Sequence, residues 1–255
     1  MSVVEFESTP SHTLQRYYPC VVIGIAFLTV GVAFGMRNAF AVFLIAVIEE
    51  FHWSRGLASG ALMLGSVMWT LAAPVIGILL DRVGPRVVLP GGSIIMALGF
   101  VISGMAHSVV EFYVGMGVFM GVGFAALPMT SQATFLSNWF IRKRGMAIGT
   151  AASGIGLGIL IVVPLTQRLI ATYGWRAAFF ILAGVLAIGV APLNYFFQRQ
   201  RPEEMNLKPD FGDPPLRPSV GHIKAAGIDG PSLKEALRRW RFGAFAFGVL
   251  AGAIP

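Results

Sequence analysis

A chain of 255 residues that is 56% hydrophobic and only 12% charged, with a mean hydropathy of +0.74, cannot cover a water-facing surface with polar groups; soluble domains carry about twice that share of charge. The formal charge of +7 does not indicate a nucleic-acid partner, because the cations fall in short clusters between apolar runs rather than along one face. The single cysteine, Cys20, excludes an intramolecular disulfide, and no Cys/His spacing resembles a metal site, so neither a metal nor a cofactor is expected.

Residues 1–17 contain Glu5 and Glu7, with no cationic start and no small-residue cleavage site. They read as a cytoplasmic tail rather than a removable leader. Six apolar runs follow, each near or above the roughly 20 residues that a spanning helix needs. They cover about Tyr18–Ile48, Leu57–Leu80, Val87–Ala106, Val109–Thr134, Met146–Leu169 and Ala177–Phe197. Backbone amides in hydrocarbon must be satisfied within their own segment, and the runs lack the alternation of barrel strands. The expected class is therefore an all-α membrane protein, with residues 18–197 forming a six-span bundle.

Arg82 and Arg86 lie between the second and third runs, and Arg142, Lys143 and Arg144 between the fourth and fifth. Arg199 and Arg201 follow the sixth, whereas the intervening connections are poorer in cations. The positive-inside rule then places both ends of the bundle in the cytoplasm. Trp53, Trp139 and Trp175 are expected at the membrane interfaces.

Residues 198–231 hold six prolines (202, 209, 214, 215, 218 and 231) and read as a cytoplasmic linker. Ser232-Leu-Lys-Glu235 is a capping box opening a short amphipathic helix with Arg238, Arg239 and Arg241 toward lipid headgroups. Phe242–Pro255 is apolar but too short to span, and reads as the start of a seventh helix, so 232–255 is expected to open a second bundle.

Between the second and third runs stands Gly77-Ile-Leu-Leu-Asp81-Arg82-Val-Gly84-Pro85-Arg86-Val-Val-Leu89. Gly77 permits close helix contact near the membrane edge. Asp81 can accept bonds from a helix N-terminus or a cation, and Gly84-Pro85 enforces a tight turn. The string resembles the signature loop of the major facilitator superfamily, G-x-L-A-D-R-x-G-R-K-x-x-L, at Gly77, Leu79, Asp81, Arg82, Gly84 and Leu89, with Arg86 as the final cation. Its D-R-x-G-P-R form is similar to the monocarboxylate transporter-like branch, which includes bacterial oxalate/formate-type relatives. Asn138-Trp-Phe-Ile-Arg142-Lys-Arg144-Gly-Met-Ala147-Ile-Gly149 and Tyr173-Gly-Trp175-Arg176-Ala-Ala-Phe179 resemble that branch's approaches to the fifth and sixth helices.

The resemblance implies two three-helix inverted repeats here, and a carrier completed by a second six-helix half. It implies a conformational latch at Gly77, Asp81, Arg82, Gly84, Arg86, Arg142 and Arg144, and a bacterial inner-membrane setting. There are departures. Gly117 stands where many members carry an Arg in the fourth span, and the antiporter glycine–proline pattern of the fifth is missing, which disfavours drug/proton antiport. The acidic opening of the first span in animal monocarboxylate carriers is also missing.

Arg37 is the one charge set deep in the six runs, near the middle of the first. A cation there costs about 2.5–3.5 kcal/mol on insertion scales and usually faces a cavity or a partner. A guanidinium stays charged and can grip a carboxylate through two hydrogen bonds. The resembling animal carriers place a functional Lys in nearly the same part of this span. Arg37 and Asn38, with Gln132 on the fourth span, are the expected substrate-binding residues. Arg37 could instead snorkel or pair with a neighbouring carboxylate. No nucleophile–base set or deep carboxylate pair supports enzymatic chemistry.

The function expected is transport, by secondary active or facilitated alternating access, of a small organic anion such as a monocarboxylate. A proton co-substrate stays open, because its carrier group would belong to the other half. The alternatives are a superfamily carrier for a neutral or cationic solute, or a non-transporting membrane scaffold if the chain ends at residue 255.

Overall fold

A computed structural model describes residues 12–198, with side chains from residue 17 onward. The expectations for the extreme N-terminal tail, for nearly all of the linker and for residues 232–255 lie outside that range. Every regular element described is helical. We number them α1 His12–Phe51, α2 Arg55–Val83, α3 Pro85–Gly104, α4 Val109–Trp139, α5 144–173 and α6 175–197. Between the last two the backbone reverses at Gly174, where φ is 81° and ψ 162°. Contacts establish the reversal. Glu50 and Phe43 of α1 meet Arg176 and Phe179, while Thr29 meets Asn194, so α6 runs antiparallel to α1. Gly31 and Gly35 of α1 meet Gly154 and Val162 in the same direction along α5. Five helical runs among the described residues are long and apolar enough to cross a membrane, and the last, divided at Gly174, makes a sixth pass along the bundle.

Local chemistry sets the ends. Ser54 caps α2 by accepting from the Leu57 amide at 3.2 Å. Ser108 caps α4 by accepting from the Glu111 amide, and Glu111 Oε2 accepts from the His107 amide at 2.7 Å. This is a close relative of the reciprocal capping box. Gly84, at φ 84° and ψ 167°, separates α2 from α3 in a conformation that a side chain would strain, and Pro85 then opens α3 with its φ already helical. Within α4 the chain passes through a π-helical stretch, Tyr113–Phe119, and breaks at Pro128, whose backbone is extended. The helix then resumes to Trp139, beyond the boundary expected at Thr134.

Small residues set how close the helices come. A Cβ on Gly31 would lie 2.8 Å from the Gly154 carbonyl oxygen, and one on Gly35 2.6 Å from that of Gly158. On the other side of the bundle, a Cβ on Gly121 of α4 would lie 2.5 Å from the Gly65 carbonyl oxygen of α2. Gly115 and Gly123 of α4 face Gly99 and Gly92 of α3. The α1–α5 and α4–α2 pairs are thus counterparts, as a first and second three-helix repeat in opposite orientation require. A Cβ on Gly77, Gly149 or Gly156 would meet nothing within 4 Å, so the close contact expected at Gly77 does not occur among the described residues.

The core sits among α1, α3 and α4. About three-fifths of the most apolar stretch of α1 and of α3 is buried (61% each), against 6% for α2. Leu71, Val75 and Ile78 of α2 and Leu157, Leu160 and Ile161 of α5 are exposed apolar side chains. Only another apolar phase can cover such faces. Trp139 ends α4 and Trp175 opens α6, and both rings pack inward. Trp139 is fully buried against Tyr18, and Trp175 is buried beside Phe179.

Candidate functional site

Arg37 sits on α1, 20 residues from Tyr17 and 14 from Phe51, or about 30 and 21 Å along the axis at 1.5 Å per residue. Its half-buried side chain reaches between α2 and α4. Nη2 donates to Ser66 Oγ at 3.3 Å, and Ser66 in turn donates to the Leu62 carbonyl. The guanidinium carbon lies 5.1 Å from the Trp69 ring centroid and 5.2 Å from that of Phe124. Nη1 is buried with no hydrogen-bond partner. The carboxylates of α1–α6 stand only near helix ends, at Glu49, Glu50, Asp81 and Glu111. No described carboxylate therefore pairs with Arg37 at its depth. Cation–π contact and one hydroxyl offset part of the burial cost.

The other two expected binding residues are placed differently. Asn38, next in sequence, is exposed and donates its Nδ2 to the Phe34 carbonyl of its own helix at 2.9 Å. Gln132 lies past the Pro128 break and is fully buried, with neither amide atom partnered. No contact links it to Arg37. Phe124, which closes the Arg37 site from α4, carries no signal in the sequence that sets it apart from other apolar residues of its span. Trp69 stands out there only as a polar-tipped ring inside an apolar run.

At the end of the bundle holding the α2–α3 and α4–α5 turns, Gly84 is buried in its turn while Asp81 and Arg82 are exposed. Arg86 donates its Nε to the Tyr195 carbonyl at 3.1 Å and lies over the Tyr195 ring at 4.9 Å, tying the start of α3 to the end of α6. Arg144 is exposed, and Arg142 is engaged in contacts of its own. The opposite end has a matching device that sequence reasoning missed. Arg176 bonds Glu50 and donates to the Ala106 carbonyl just past α3, and Glu50 also accepts from the Trp175 indole. Gly84-Pro-Arg86 and Gly174-Trp-Arg176 are thus equivalent turns in the two repeats, each using its arginine to hold the far end of a neighbouring helix. Among the described residues, no three His, Cys, Asp or Glu side chains come together to hold a metal.

Six apolar crossings built from two inverted three-helix units, with one unpaired cation in their interior, define a class of membrane carrier bundle. Residues 25–254 match the family model of the Major Facilitator Superfamily, and the chain belongs to that superfamily. It is 32% identical to human Monocarboxylate transporter 2 over 168 residues, 65% of this chain and 34% of that one. It is 30% identical to mouse Monocarboxylate transporter 11 over 229 residues, covering 90% of this chain and 47% of that one. With human Monocarboxylate transporter 6 the identity is 28% over 210 residues, 81% of this chain and 41% of the other. The chain spans less than half the length of these curated relatives. It is an integral membrane protein of a transporter family.

Proposed function

We propose that this chain forms the substrate-anchoring half of a carrier for small monocarboxylate-like organic anions, with Arg37 as the anion anchor. The observation that supports this most is the buried, unpartnered Nη1 of Arg37 at a depth where no described carboxylate stands. The names of the similar transporters point to the same substrate class. A substrate carboxylate would accept from the guanidinium, and binding would supply the negative charge that the bundle lacks at this depth.

Transport would proceed by alternating access against a second six-helix half, packed over the open faces of α2 and α5. The turn at Gly77–Arg86, together with Arg142 and Arg144, would form the conformational latch on the cytoplasmic side. Asp81 and Arg82, exposed at its tip, are the groups free to reach across, whereas Arg86 braces α3 on α6. The end with Arg82, Arg86, Arg142, Lys143 and Arg144 is richer in cations than the other end, which has Arg55, Arg168 and Arg176. That excess of cations supports a cytoplasmic N-terminus. A co-transported proton would need a titratable group outside these spans.

Uptake of radiolabelled short monocarboxylates by the intact carrier, compared with the Arg37→Ala variant at equal surface expression, tests the proposal. Arg37→Ala should reduce carboxylate uptake to background. Undiminished uptake, or a wild-type carrier that takes neutral solutes and ignores carboxylates, would overturn it.

A further inference from the structure

An arginine held in hydrocarbon usually offsets its charge with a carboxylate, with carbonyl oxygens, or by snorkelling to water. Among the described residues Arg37 has neither a carboxylate nor a carbonyl partner. Its described polar contact is a single hydroxyl, Ser66 Oγ at 3.3 Å. Aromatic rings surround it instead. Trp69 of α2 and Phe124 of α4 lie 5.1 and 5.2 Å from the guanidinium carbon. The two rings meet edge to face, 5.2 Å apart at 81°. Phe34, three residues before Arg37, meets Phe124 at 5.1 Å and 77°. Rings from three helices therefore brace one another around one cation.

We propose that Trp69 and Phe124 are positioning residues of the anion site, acting as a neutral clamp in place of a counter-ion. This rests on the reading of Arg37 as the substrate anchor. The π face of a ring attracts a cation but accepts no hydrogen bond from its edge. A carboxylate at the same place would saturate the N–H donors and compete with the substrate for them. Two ring faces hold the charge without taking up its donors: Nη2 bonds Ser66, and Nη1 is the atom left over. The clamp also spans the α1, α2 and α4 junction, where Gly65 and Gly121 bring α2 and α4 close enough for both rings to reach one side chain. A bulkier residue at either glycine would part the rings.

Uptake kinetics of a monocarboxylate in the intact carrier, at matched surface expression, test the clamp. Trp69→Leu and Phe124→Leu should each raise KM about tenfold and leave the maximal rate within about twofold, the scale expected for loss of a desolvated cation–π contact. Trp69→Phe and Phe124→Tyr, which keep a π face, should restore KM to within about threefold of the parent. Replacing Trp69 with mono-, di- and trifluorinated tryptophan changes the ring quadrupole without changing its shape, and should raise KM stepwise. A KM insensitive to fluorination, or Leu variants that lose only expression or maximal rate, overturns the clamp. If Arg37→Ala abolishes uptake while the rings are indifferent, the anchor stands and the clamp alone fails; if Arg37→Ala transports normally, the anchor itself is lost.

Discussion

Arg37 shows how one residue type can be legible in a sequence while its surroundings are not. A cation 14 residues from the nearer end of a spanning helix is conspicuous because so few side chains are charged there. Its partners are not conspicuous, since Trp69 and Phe124 become neighbours only when the rotations of α2 and α4 are fixed by packing. Asn38 is attractive by adjacency, but successive helical residues point about 100° apart, and it bonds its own backbone instead. The planar fork of the guanidinium also makes a specific expectation. Arg37→Lys keeps the charge but loses the bidentate edge and the flat face against the rings. It should retain carboxylate uptake with a KM raised about tenfold, whereas Arg37→Ala should retain none. Equal loss in both variants would mean that geometry, and not charge, decides binding.

Among the elements, glycines divide into those that meet another backbone and those that do not. Their abundance in the fourth and fifth spans is plain in the sequence, but which of them pack depends on helix phase. Gly154 and Gly158 meet α1, while Gly149 and Gly156, on the same helix, meet nothing. Gly158→Ala would drive a methyl group into the Gly31 backbone. It should cost about 1–3 kcal/mol as an overpacking substitution, read as a lowered melting temperature of the detergent-solubilised protein. Gly184→Ala, with nothing within 4 Å, should leave that temperature unchanged or slightly raised. The turn glycines form a second class. Gly174, at φ 81° and ψ 162°, occupies a region nearly closed to side chains, so Gly174→Ala should cost about 1–3 kcal/mol by backbone strain alone. Gly84 should behave alike, since its angles nearly coincide. The turn at Gly84 is legible because a proline follows it; its partner at Gly174 lacks that cue.

At the scale of the whole molecule, hydropathy suffices to locate all six crossings, because a spanning helix is set by the thickness of the hydrocarbon more than by any particular contact. It cannot locate the π-helical stretch in α4 or the break at Pro128. Past the break Gln132 is enclosed. Nor can it tell which helices face outward. Burial separates α1, α3 and α4, which make the core, from α2, whose apolar stretch is only 6% buried. The pairing of α1 with α5 and of α4 with α2 through close glycine contacts gives the bundle an internal two-fold order. Arg86 and Arg176 close that order at opposite ends.

Equilibrium binding to the purified intact carrier, comparing a short monocarboxylate with the amide of the same acid, isolates the charge of the ligand from its shape. The account predicts that the parent protein binds the carboxylate and not the amide, and that Arg37→Ala erases the difference. Equal binding of the two ligands by the parent, or a preference for the carboxylate that survives in Arg37→Ala, would contradict it.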